Sequence, residues 1–165
     1  MVFLVDFVAR GLGEGVAAGA WYWVLFGLGA VAGPAVAGHV ADRIGFALAL
    51  RLALVAAAVL VGLIAVSAST AALTVSSIVI GGFVPGSVVL VLGRVRELVP
   101  DDLAGQQAAW SFATIAFALG QAGAACGFSL LFARGHGYAL FFALGAAAFA
   151  LALAIDLVSP LAQRR

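Results

Sequence analysis

The sequence predicts an all-α protein, a multi-pass bundle of transmembrane helices, and three observations carry that prediction. Hydrophobic residues make up 65% of the 165-residue chain and charged residues only 9%, with a mean hydropathy of +1.23. A soluble domain is about half apolar and about a quarter charged, so a chain this small could not hide such a surface from water. The charges also stand in short breaks between uncharged runs long enough to cross a bilayer, which takes about 20 residues. Finally, the connections between those runs are short, which favours antiparallel neighbouring helices.

The first segment, Met1–Ala9, is apolar except for Asp6. At about 1.5 Å per residue it reaches only about half the hydrocarbon thickness. It reads as a partial helix over 1–10 whose beginning is missing, or as a short interfacial start. Residues 15–41 hold no Asp, Glu, Lys or Arg and give a span near 16–40. Residues 52–93 are uncharged for long enough to cross twice, and the break Ser67-Ala68-Ser69-Thr70 divides them into spans near 46–68 and 72–93. Two more spans follow near 107–133 and 137–158.

Orientation follows from the Arg bias. Arg10 and Arg134 lie on one side. Arg43, Arg51, Arg94, Arg96, Arg164 and Arg165 lie on the other, which should be cytoplasmic together with the C-terminus. Nothing at the N-terminus reads as a cleaved leader, because Met1–Leu4 has no positive region. The net charge of +1 comes without any basic run, so nucleic acid is not an expected partner. The lone Cys126 excludes an internal disulfide.

Small residues recur four apart, at Gly29 with Gly33 and at Gly123 with Gly127, a spacing that lets helix backbones approach closely. Mid-span Gly81-Gly82-Phe83-Val84-Pro85-Gly86 reads either as a packing kink or as an opened helix lining a cavity, since Pro removes a backbone donor. Ser76, Phe83, Ser87 and Arg94 share one helical stripe. Trp110, Thr114 and Gln121 share another, and polar groups at such depth turn towards protein or water. Ser76, Phe83, Ser87, Trp110, Thr114 and Gln121 are therefore expected on one interior surface. Spans 46–68 and 137–158 look polar-poor and lipid-facing.

Asp6 and Arg10 have the spacing of a helical ion pair, and Asp6 is also a candidate proton-coupling group at the mouth of a path. Trp21 and Trp23 suit an aromatic belt. His39 and His136 fall on opposite membrane sides, so no shared metal site is expected. Gly127-Phe128-Ser129-Leu130 resembles a rhomboid-protease nucleophile motif, but no His lies in a later span to act as base, so the chain does not read as an enzyme.

With the segments placed, the chain resembles the major facilitator superfamily and, within it, the YbfB-like branch. Phe3–Gly13 resembles the end of that family's seventh helix and Trp23–Ala30 its eighth. Gly38–Gly45 resembles the superfamily loop motif, Gly81–Gly86 with Arg94 the tenth helix, and Phe117–Gln121 with Leu131-Phe132 the eleventh. One departure is Ala47, where the loop motif carries a basic residue; Arg51 is the candidate replacement. The resemblance implies the C-terminal half of a secondary transporter for an unknown small molecule, without cofactor, in the cell membrane. The N-terminal half would be absent, and the expected partner is that missing half or a second chain. The alternative is a truncated, non-transporting membrane subunit that serves as a packing partner. The resemblance also implies a cytoplasmic gate from Gly38, Asp42, Arg43, Gly45, Arg94, Arg96 and Glu97. Glu97, three residues after Arg94, can pair with it within one helix; the preferred expectation is that Arg94 or Arg96 reaches Asp42, a contact between helices.

Overall fold

A computed structural model describes residues 2–135 and 137–162. His136, Met1 and the C-terminal Arg164 and Arg165, on which part of the orientation argument rests, lie outside the described residues. Among the described residues every regular element is helical: α1 (Val2–Asp6), a π-helical turn (Phe7–Gly11), α2 (Gly15–Ile44), α3 (Phe46–Val66), α4 (Thr70–Leu98), α5 (Leu103–Ala133) and α6 (Tyr138–Ala162). Five of these, α2 to α6, are long and apolar enough to cross a membrane.

The helices outrun the uncharged stretches. Asp42 and Arg43 belong to α2, and Arg94, Arg96 and Glu97 belong to α4. Charge limits what sits in hydrocarbon, whereas a helix is free to continue into the headgroup layer. The ends are set by local chemistry. Gly45, at φ 85° and ψ 153°, takes a conformation open to glycine, so α2 stops there and α3 restarts at Phe46. Ser69 accepts from the Ala72 N–H at 3.3 Å to start α4, and Asp102 Oδ1 accepts from the Gly105 N–H at 2.9 Å to start α5.

α2 and α4 form the principal packed pair, and α3 packs on both α4 and α6. The α2–α4 seam is built of glycine. A methyl group placed on Gly29 would collide with the Ile78 carbonyl, one on Gly33 with the Gly82 carbonyl, and one on Gly81 with the Phe26 carbonyl. In lipid, where burial of apolar groups gives no net drive, such backbone-to-backbone approach is a main source of helix association. α4 runs through Pro85 and the glycines around it unbroken; the glycines serve the seam, and Gly82 and Gly86 also line a groove between α2, α3 and α4.

Gly123 and Gly127 behave differently, with open space where a side chain would stand. Their helix, α5, meets α4 at its start and α6 through Phe128 and Phe132 near its end, and it buries none of its residues. Two apolar clusters close the ends of the bundle. Leu4, Val8, Tyr22, Leu25, Ile64 and Leu73 fill one, and Ala41, Ala49 and Leu90 the other. The N-terminal segment is thus an integral part of the packing.

Candidate functional site

The six residues expected on one interior surface are separated by the structure. Ser76 is fully buried between α3 and α4, and its hydroxyl donates to the Leu60 carbonyl at 3.0 Å. A hydroxyl in a low-dielectric setting takes the nearest acceptor, and here that acceptor is α3, not a cavity. Phe83 packs edge-on against Phe149 of α6, with ring centres 5.2 Å apart. Phe83 and Ser87 also line an apolar groove of about 360 Å³ between α2, α3 and α4, in which the Ser87 hydroxyl is spent on its own helix, at Val84 O. Trp110, Thr114 and Gln121 all lie on α5, where Trp110 is half-buried and Thr114 and Gln121 are exposed. Thr114 donates to Trp110 O at 2.9 Å. A shared stripe along one helix says which residues look the same way; it does not say that two helices look towards each other.

The charged end of the bundle also departs from expectation. Among the described residues no ion pair joins Asp42 to Arg94 or Arg96. Arg94 instead meets Glu97 at 3.1 Å, one turn along α4. Glu97 uses its other oxygen to accept from the Phe46 N–H at 3.0 Å. The turn at Gly45 aims the uncapped start of α3 at α4, and a carboxylate is favoured at a helix N-terminus, where free N–H groups converge. Gly93 makes room for the Phe46 ring at that contact. The contact between helices therefore exists, but Glu97 makes it by capping α3, while Asp42 and Arg43 stay exposed at the end of α2. Arg94 Nε is buried without a partner there.

Two polar contacts were not expected. Arg51 of α3 and Asp156 of α6 form an ion pair at 2.6 Å, with both side chains largely buried (28% and 18% exposed). It corrects the picture of α3 and α6 as plain lipid-facing helices and shows where Arg51 goes. The signal was present in the sequence. Asp156 is a lone acid closing an uncharged run, and such a group needs a partner. At the opposite end, Asp6 makes the expected ion pair with Arg10 at 3.1 Å, and the unexpected contact is the 2.6 Å hydrogen bond it accepts from the Tyr138 phenol at the start of α6. Phe7 packs on Tyr138 and Phe142, which holds that arrangement together.

A family model described as "Uncharacterised MFS-type transporter YbfB" matches residues 1–157. No curated protein and no solved structure matches the chain.

Proposed function

This chain belongs to the YbfB-type family of major facilitator superfamily transporters, and from that premise we propose that it works as half of a secondary transporter that moves a small molecule across the cell membrane. The family match, which spans nearly the whole chain, carries the reading. The state of α5 supports it. This helix is long enough to cross, buries nothing, and carries Trp110, Thr114 and Gln121 along one stripe. Polar groups at membrane depth turn towards protein or a water-filled path. A second six-helix half packed there, from the same polypeptide or from another, would place that stripe on the substrate path. Alternating access is then the rocking of one half against the other.

In this reading the charged end, with Glu97 tied to the start of α3, faces the cytoplasm, as the distribution of Arg favours. A reporter active only in the cytoplasm, fused after Arg165, should be active; a silent but well-expressed fusion overturns the orientation.

Transport is tested with two preparations reconstituted into vesicles: this chain alone, and this chain together with an opposing six-helix half. Each is offered a panel of labelled organic acids, amines and sugars under an imposed proton gradient. Saturable uptake by the second preparation only is the expected result. Uptake by the isolated monomer would overturn the two-half arrangement, and no uptake by either would overturn the transport reading.

A further inference from the structure

We infer that the groove between the π-helical turn and the start of α2 is a binding site for small amphipathic organic anions, with a carboxylate held by Arg10 and an apolar body laid against Trp23. The inference rests on the transport reading only in regarding such a molecule as a candidate substrate; the site itself is argued from geometry.

Asp6 and Arg10 stand on one wall of the groove, and Val16, Ala20 and Trp23 stand on the other, around a volume of about 490 Å³. The groove is open along its length, and its lining pairs apolar surface with two charged side chains.

The polar wall is selective because its two charges are used unequally. Both oxygens of Asp6 are engaged, one by Arg10 Nε and the other by the Tyr138 hydroxyl, and the carboxylate is mostly buried. It is poorly placed to take up a cationic ligand. Arg10 commits only Nε at 3.1 Å, and its side chain is 79% exposed. Its terminal nitrogens have no partner among the described residues. A guanidinium held by one edge presents its remaining donors as a fixed fork, which matches a carboxylate. Asp6 and Tyr138 thus act as positioning residues for Arg10.

The other wall supplies apolar surface, and because Glu14, exposed beside the first turn of α2, opposes an anion at that helix end, the anion is held by Arg10 alone. Trp23 is stacked on Phe26, with ring centres 5.1 Å apart and planes 9° from parallel. The indole is therefore a fixed platform that a flat apolar group can cover at little entropic cost.

The experiment uses 4-fluorobenzoate, with 4-fluorobenzylamine and 4-fluorobenzyl alcohol as controls, and follows fluorine line broadening with the purified chain in detergent. Saturable broadening of the benzoate alone is expected. Arg10→Gln should weaken its affinity at least about tenfold, the scale of a lost charge-assisted contact. Trp23→Ala should weaken it several-fold, and Tyr138→Phe should weaken it without abolishing it. Melting temperatures of the variants confirm folding, and Arg10, being exposed, is the decisive substitution. Unchanged affinity in folded Arg10→Gln, or equal binding of the benzylamine, overturns the site. The two readings fail separately. Benzoate binding without uptake by any assembled pair would remove the transport reading and keep the site. Uptake of other compounds without benzoate binding would do the reverse.

Discussion

Gly29 with Gly33 and Gly123 with Gly127 have the same spacing, yet they sit in opposite surroundings. The first pair lies within the α2–α4 seam, where the Ile78 and Gly82 carbonyls occupy the space a side chain would take. The second pair lies on α5, where the same construction meets nothing within 4 Å. A four-residue spacing of small side chains therefore marks a face capable of close approach, and only the topology decides whether a partner arrives. The seam holds this chain together. The α5 face is built to the same specification and, in our reading, is kept for the other half of the transporter.

The most damaging test of that contrast is a matched pair of substitutions. Gly33→Val should destabilise the chain by about 3 kcal/mol or abolish folding, because the added atoms meet backbone that cannot move aside. Gly123→Val should leave the isolated chain's melting temperature unchanged. Thermal unfolding followed by tryptophan fluorescence compares the two; equal effects would break the distinction between a filled seam and an uncovered face.

A smaller effect is expected where α3 meets α6. Asp156→Asn leaves Arg51 in a largely buried position without its counter-charge, at a cost of about 2 kcal/mol. Exchanging the two residues, Arg51→Asp with Asp156→Arg, should recover most of that loss. Failure of the exchange to recover anything would mean that the pair is not the clasp between these helices.

At the charged end the contrast is between two carboxylates. Glu97→Gln should cost about 1 kcal/mol, since it weakens both the cap on α3 and the pair with Arg94. Asp42→Asn, at the exposed end of α2, should cost nothing measurable. Melting temperatures that rank the two in the other order would restore Asp42 as the residue that ties the helices together.

These contrasts also show what could be read from the sequence. The number and approximate position of the spans were legible, because lipid imposes a simple rule on each segment separately: about 20 apolar residues with charges outside. The pairing of Asp6 with Arg10 was legible for a similar reason, since both partners lie on one helical turn and local spacing brings them together. Contacts between segments were not. Helical spacing and the cost of polar groups in lipid point Ser76 and Gln121 to one interior surface, yet Ser76 finds an acceptor on α3, and nothing in its own span announces that. Tyr138 lies 132 positions from Asp6 and gave no sign of where it would reach. The three-residue spacing of Arg94 and Glu97 offers a local pair against the longer reach to Asp42, and the structure takes the local pair; what the spacing does not announce is that the other oxygen of Glu97 is drawn by the free N–H groups that a glycine turn leaves at the start of α3.

The smallest expected change in stability carries the most information about α5. Gln121 is exposed on a helix that buries none of its residues, so Gln121→Leu removes no contact within this chain. The melting temperature of the isolated chain should hold or rise slightly, because an amide facing detergent or lipid gains nothing that a leucine loses. The effect should appear only when the opposing half is present. If that half covers the stripe, the amide meets either a partner side chain or the substrate. An interhelical hydrogen bond in a membrane contributes about 1 kcal/mol, enough to weaken association of the halves several-fold, and a lost substrate contact would lower uptake at unchanged assembly. Measuring both association and uptake for the variant separates these two roles. If neither changes while the isolated chain becomes distinctly more stable, then Gln121 faces lipid, α5 is an ordinary outer helix, and the contrast between the two glycine pairs reflects only how crowded each helix is.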